Sequence, residues 1–189
     1  MNWPFGTVRP LSYGLIMADP PWSYDLWSEK GMKKSAMAQY ACMSDQDVCD
    51  LPVGQLARGD AVLWLWATAP KLDVAFRVMT AWGFKYRTFG TWDKVRWGTG
   101  YIMRSVAEPF LIGTIGKPVF DGRSIPNIIR GGAREHSRKP EQAYEIAERL
   151  VPRTCNRLDL FSRASRPGWD AWGNEAGKFD AALPLAAAE

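Results

Sequence analysis

Residues 13–18 (YGLIMA) form an unbroken apolar run that stops at Asp19-Pro20-Pro21. A short apolar run closed by prolines predicts a buried strand ending in a turn, because proline cannot donate to a sheet ladder. Residues 61–66 (AVLWLW) predict a second buried strand. After it, Leu72, Ala75, Phe76 and Met79 recur at helical spacing, the core stripe of a helix that stops at Gly83. Residues 86–92 read as a strand, 93–104 as a basic loop, and 109–115 as a further apolar segment. Ser44 followed by Asp47 predicts a capped helical turn leading to Val48 and Leu51. Near the end, Pro140 at the first helical position opens a helix whose Ala143, Ile146, Ala147 and Leu150 share one face. Residues 157–161 (RLDLF) complete the strands. Residues 23–43 and 117–135 are polar, glycine- or proline-containing stretches and read as long loops, which in compact proteins tend to be functional.

Strands alternating with helices predict an α/β sheet with helices on its faces. In such sheets ligands sit beyond the carboxyl ends of strands, which singles out 19–22 and the residues after Phe161. Composition narrows the class. The chain has 189 residues, 47% hydrophobic and 23% charged, enough to bury a core without disulfides. No apolar run approaches bilayer length and no secretory signal is visible, so a cytoplasmic protein without membrane contact is expected. Three cysteines without a C-x-x-C pair and one histidine, His136, argue against a zinc site, and no metal is expected. The net charge of +4 is unevenly spread. Residues 19–60 carry seven acids against four bases, whereas 85–104 carry five bases against Asp93 alone. Ten tryptophans interleave with these segments. Cations with flat rings suit nucleic acid, and a solvated face over core aromatics fits the same composition. Trp64, Trp66 and Trp82 are expected in the core, and Trp92 and Trp97 beside the basic loop.

Asp19-Pro20-Pro21-Trp22 is the sharpest local signal. Two prolines fix the backbone and remove its donors, leaving the Asp19 carboxylate and the Pro20 carbonyl as acceptors beside an aromatic face. Two acceptors and a stacking surface match an exocyclic amine such as adenine N6. A strand-terminating turn accounts for the same four residues, and both readings stand at this point.

A longer series of motifs follows in order: Tyr40-x-x-Met43-Ser44-Asp45, Leu63-Trp64-Leu65-Trp66, Ala81-Trp82-Gly83-Phe84, Ser137-x-Lys139-Pro140, Glu148-Arg149-Leu150, Leu160-Phe161-x-Arg163 and Trp169-x-x-x-Gly173-Asn174. The series resembles the adenine-N6 methyltransferases related to the catalytic subunit of the eukaryotic mRNA adenosine methyltransferase, especially their short bacterial and phage members. The resemblance implies a Rossmann-like S-adenosylmethionine-dependent methyltransferase fold, a mixed sheet with helices on both faces, in permuted order: the catalytic strand precedes the cofactor strand. The resemblance covers roughly residues 11–178; the length fits one domain, taken as a methyltransferase domain over residues 1–178, and the small-residue-rich end is expected to form a disordered tail at 179–189. The resemblance implies Asp19, Pro20, Pro21 and Trp22 as catalytic, and Asp19, Lys139, Phe161, Arg163, Asn174 and Glu175 around S-adenosyl-L-methionine. Trp22, Tyr40, Lys94, Arg96, Arg104 and Glu108 would face the substrate. Ser162 stands where relatives often have a glycine-rich turn, and Glu175 where they often have Gln. The expected acceptor is adenine N6 in DNA, ahead of RNA adenosine or a free adenine nucleotide. A catalytically inactive partner of an active methyltransferase is the alternative from another class, and a homodimer is compatible with the sequence.

Overall fold

A computed structural model describes residues 3–24, 42–98, 102–122, 124–132 and 138–180. Its strands are β1 (Tyr13–Ala18), β2 (Ala57–Trp66), β3 (Lys85–Asp93), β4 (Ala107–Ile115), β5 (Ile128–Arg130), β6 (Arg157–Leu160) and β7 (Trp169–Trp172). The helices are α1 (Asp45–Asp50), α2 (Leu72–Ala81) and α3 (Glu141–Leu150). All seven strands form one sheet in the order β5-β3-β4-β2-β1-β6-β7. β1 runs parallel to both β2 and β6, and β7 parallel to β6. β4 runs antiparallel to both β2 and β3, which makes the sheet mixed.

Side-chain alternation explains why β1 and residues 61–66 of β2 are apolar throughout: both faces are covered there. Ile16 and Ala18 of β1, with Leu63 and Leu65 of β2, enter one core with Val48 of α1 and Val74, Ala75, Val78 and Met79 of α2. Leu15 and Met17, with Val62, Trp64 and Trp66, enter the other with Ala143 and Ala147 of α3. Helices therefore cover both faces, as expected. Trp64, Trp66 and Trp82 are buried, and Trp64 stacks on Phe110 with ring centroids 4.0 Å apart.

Several local expectations shift. The buried stripe of α2 is rotated: Val74 and Val78 point inward, while Phe76 is exposed and packs edge-on to Tyr86. β2 begins at Ala57, because parallel pairing to Tyr13 extends it through the polar Arg58-Gly59-Asp60. Pro140 is the N-cap of α3 with extended backbone, not its first helical residue. The stretch read as a loop over 117–135 contains β5, recruited by parallel pairing with residues 91–93 of β3. β7 has no apolar run to announce it; Trp169 is its one buried residue. The Ser44 cap and the Gly83 stop are as expected. Ser44 accepts from the Asp47 amide, and Gly83 ends α2 with φ +82°. The expected tail lies, from residue 181, outside the described residues. No helix among the described residues is long and apolar enough to cross a membrane.

Candidate active site

β1 delivers Asp19 to the rim of the sheet, between the ends of its two parallel neighbours. The Asp19 amide donates to Leu160 O at the end of β6 (3.4 Å). The Trp22 amide then donates to Pro20 O (2.8 Å), an i to i+2 turn centred on Pro21. Pro21 O accepts from the Met43 amide (3.0 Å), which anchors the turn to the chain entering α1. The Pro20 carbonyl is thus already a hydrogen-bond acceptor. A carbonyl oxygen has two lone pairs, so one remains for a ligand.

The expected aromatic face of Trp22 is not at the site. Its ring is buried in the α1/α2 core, so it supports the turn from behind and cannot stack on a base. Tyr40 lies outside the described residues.

Four charged side chains converge. Lys139 Nζ lies 2.7 Å from Asp19 Oδ2 and 2.7 Å from Glu108 Oε1, and Lys94 Nζ lies 3.4 Å from Glu108 Oε2. Lys139 also sits over the Trp66 ring, 5.3 Å from its centroid. The lysine side chain is only 9% exposed, while that of Asp19 remains 36% exposed. Burial alone would lower the Lys139 pKa, but Asp19 and Glu108 together hold it above the usual lysine value. Burial would raise Glu108, yet Lys139 and Lys94 outweigh it and hold that carboxyl below the usual range. Burial pushes Asp19 upward; Lys139 opposes this and the nearby Glu108 reinforces it. Two carboxylates thus share one ammonium at the end of β1.

Two clefts meet at Asp19. The first is lined by Met17, Trp66, Lys139, Tyr144, Asp159 and Arg166, among others. The second is lined by Pro21, Met43, Phe161, Trp172, Asn174 and Glu175, with Arg163 shared between the two. Phe161 was expected to continue β6. Instead it turns into left-handed backbone, φ +63°, and packs edge-on to Trp172. Strained backbone of this kind persists only where surrounding contacts fix it. Here the Ser162 amide donates to Trp172 O (3.0 Å), and a side chain at Gly173 would meet Ser162 O at 2.6 Å. Arg163 and Glu175 form an ion pair at 3.4 Å across the second cleft. Phe161, Arg163, Asn174 and Glu175 are therefore brought together as expected, with Lys139 joined to them through Asp19.

The basic residues divide. Lys94 reaches the site through Glu108, but Arg96 and Arg104 are exposed on the β3–β4 hairpin beyond it. Residues 94–98 and 102–104 carry no strand, as the loop expected over 93–104 implies, and two amides cross this connection, Lys94 to Val106 O and Gly98 to Ser105 O.

Sequence reasoning missed Asp159 and Tyr144. The Tyr144 hydroxyl and the Ser162 hydroxyl each donate to Asp159 Oδ2 at 2.9 Å. Burial pushes the Asp159 carboxyl up to about 6, against both hydrogen bonds. One signal was available: an acid in the middle of an apolar strand, RLDLF, needs a partner. Ser162, where a glycine-rich turn was expected, supplies one.

Residues 13–175 match the MT-A70 family. The chain belongs to that family. A type II methyltransferase of Mycoplasma sp, M.MunI, is 29% identical over 86% of the chain and 77% of its own length. An MT-A70-like N(6)-adenosine-methyltransferase of Arabidopsis thaliana is 30% identical over 87% of the chain and 24% of its own length. The human N(6)-adenosine-methyltransferase catalytic subunit METTL3 is 28% identical over 86% of the chain and 28% of its own length. The chain thus spans roughly a quarter of the eukaryotic relatives and about three quarters of the bacterial one. The matched MT-A70 segment contains every expected catalytic and cofactor residue.

Proposed function

We propose that the protein transfers a methyl group from S-adenosylmethionine to the exocyclic N6 amine of adenine in DNA. The observation that carries this reading is the acceptor pair at the end of β1. The Asp19 carboxylate has Oδ2 fixed by Lys139, and beside it stands the Pro20 carbonyl, at the junction of two clefts. The MT-A70 membership supports the reaction class. M.MunI, a relative matched over 77% of its own length, supports DNA, since type II methyltransferases modify DNA.

The donor set fits S-adenosylmethionine, which when bound supplies an activated methyl on its sulfonium. Lys139 would take a carboxylate and Asp19 an ammonium, at the ion-paired centre already described. Asn174, Glu175 and Arg163 present polar groups suited to ribose hydroxyls, with Pro21, Phe161 and Trp172 as the apolar wall for a purine. Trp66 adds an orphaned donor: its buried Nε1 has no partner among the described residues, and the ring lines the first cleft. In chain order the β1 end precedes the β6 end, which supports the permuted order that the resemblance implies.

The adenine N6 lone pair is delocalised into the ring and the amine is a poor nucleophile. A carboxylate cannot remove a proton from it beforehand, since even a raised Asp is far less basic than a deprotonated aromatic amine. Asp19 and the second lone pair of Pro20 O instead accept the two N–H bonds and favour a pyramidal nitrogen. As positive charge develops there, the fixed carboxylate stabilises it without reorganising. The methylated nitrogen is then strongly acidic. Its proton passes to Asp19, whose partial exposure opens a route to water.

Labelled S-adenosylmethionine offered with DNA, RNA and adenine nucleotides tests the proposal, with the modified base identified by mass spectrometry. N6-methyladenine in DNA is expected, and Asp19→Ala should abolish it while leaving the unfolding curve cooperative. Exclusive labelling of RNA or nucleotides would refute the DNA assignment. Undiminished transfer by Asp19→Ala would refute the mechanism.

A further inference from the structure

The two clefts share the turn that follows β6, and one hydrogen in that turn has two acceptors within reach. Ser162 Oγ lies 2.9 Å from Asp159 Oδ2 and 2.8 Å from Ala164 O, and the Ala164 amide points back at it from 3.4 Å. A hydroxyl carries a single hydrogen, so Ser162 can donate to only one of the two at a time. When Asp159 is ionised it takes the hydrogen, because a charge-assisted bond is roughly twice as strong as a neutral one. When Asp159 is protonated its carboxyl is the poorer acceptor, and the hydrogen turns to the amide carbonyl of Ala164. Tyr144 keeps Asp159 as its acceptor in both states, since burial and Asp159 hold its hydroxyl protonated. Ser162 is only 6% exposed, so water is poorly placed to replace the bond that is lost.

Arg163 stands inside this small loop. Its guanidinium pairs with Glu175 at 3.4 Å across the second cleft, whereas Asp159 lines the first. We infer that Ser162 is a positioning residue for Arg163 and that its one hydroxyl hydrogen couples the clefts: protonation of Asp159 in the first tightens the hold on Arg163 in the second. The inference deepens the proposed function and rests on its assignment of the second cleft to the adenosine part of the cofactor. The groups facing Asp159 set where the coupling acts. Burial pushes its carboxyl up to about 6; Tyr144 from α3 and Ser162 oppose that, Asp19 from β1 reinforces it, and Arg166 beyond the turn opposes it. Arg138 and Lys139 line the same cleft, with Lys139 tied to Asp19. The hydrogen therefore changes partner between pH ~5 and pH ~7.

Methylthioadenosine is the probe for the second cleft, because it is uncharged and the ionised Asp159 does not attract it directly. By calorimetry, wild type should bind it about 2- to 10-fold more tightly at pH ~5 than at pH ~7, the factor equivalent to one neutral hydrogen bond. Ser162→Ala and Asp159→Asn should each lose that step, and either variant alone suffices if the other fails to fold. Nuclear magnetic resonance of the free protein gives a second measurement. The Ser165 amide nitrogen senses hydrogen bonding at the preceding Ala164 carbonyl. That amide donates to Asp180, whose carboxyl is held below the usual range and stays ionised throughout. The Ser165 nitrogen should titrate with a midpoint of about 6 in wild type and stay still in Ser162→Ala. The Arg163 Nε hydrogen should exchange with water about 2- to 10-fold more slowly in wild type than in Ser162→Ala at pH ~5, and equally at pH ~7. A Ser165 nitrogen that does not titrate in wild type, or titrates equally in Ser162→Ala, would overturn the shared hydrogen. Equal Arg163 exchange in both proteins at pH ~5, or an affinity step that survives in Ser162→Ala or is missing from wild type, would overturn the coupling. If methylthioadenosine binds at neither pH, the cofactor assignment of the second cleft has failed, and exchange at Arg163 then decides the coupling alone.

Discussion

Replacing Lys139 by methionine isolates the electrostatics of the site, because methionine keeps much of the stem that packs over Trp66 and removes only the charge. Two carboxylates would then face each other without their shared ammonium, which now lies 2.7 Å from each. Breaking a buried ion pair from one side costs about 3–5 kcal/mol. Two features reduce that figure here. Asp19 is 36% exposed and screened by water, and Glu108 keeps Lys94 at 3.4 Å. A loss of about 2–3 kcal/mol is expected at pH ~8. The pH dependence has a definite sign. In the variant, burial and mutual repulsion raise both folded-state carboxyl pKa values above their unfolded values, so it loses stability as pH rises through them. In the wild type, Glu108 is held below its usual value and contributes stability that is lost as pH falls. Both effects make the gap largest near neutrality and smallest below about pH 4. Urea unfolding followed by tryptophan fluorescence, at pH ~8 and again at pH ~4, measures it. Glu108→Gln added to Lys139→Met should recover part of the loss at the higher pH. A variant within ~0.5 kcal/mol of wild type at pH ~8, or a loss independent of pH, would refute the shared-ammonium account.

Asp159, pushed up to about 6 by burial, binds its proton more tightly folded than unfolded. Its stabilising contribution is therefore present below its ordinary value near 4 and lost as pH rises through 6. Asp159→Asn, still an acceptor for Tyr144 and Ser162, should be about 1–3 kcal/mol more stable than wild type at pH ~8 and equal to it at pH ~4. A stability gap between variant and wild type that did not close as pH falls from ~8 to ~4 would count against the buried-carboxyl assignment. Gly90→Ala should cost about 1–3 kcal/mol, because the added carbon would collide with the Phe110 ring and meet Asn127 O at 2.7 Å, disturbing the Phe110 stack on Trp64. An unchanged midpoint in urea would mean that Phe110 can move aside freely.

The elements legible in the sequence were those whose cause is local. An apolar run closed by prolines makes β1 whatever it pairs with, and Ser44 caps α1 through a contact three residues away. The elements that were not legible depend on distant pairing. β5 exists because residues 128–130 complete the edge of β3, and β7 because 169–172 lie beside β6. The α2 stripe was displaced for a similar reason. Periodicity put Phe76 on the stripe with Leu72, Ala75 and Met79, and the sheet beneath took Val74 and Val78 with Ala75 and Met79 instead, while Phe76 went to Tyr86. Trp22 shows the same limit at the site. Its place beside Asp19-Pro20-Pro21 in sequence suggested a stacking face, but side chains leave a turn in opposing directions, and this one enters the core.

The convergence at Asp19 follows from strand direction. Parallel β1, β2 and β6 end at one rim, which brings Asp19 beside Trp66 and the Phe161 turn. Had β4 also been parallel, its early residues would lie at the opposite rim. Because β4 is antiparallel, with Phe110 opposite Trp66, Glu108 arrives where β1 ends. Lys139 reaches the same point from the segment before α3, on the face containing Trp66, so its ammonium meets both carboxylates beside that ring. A site assembled from Asp19, Glu108 and Lys139 therefore requires one reversed strand in an otherwise parallel neighbourhood.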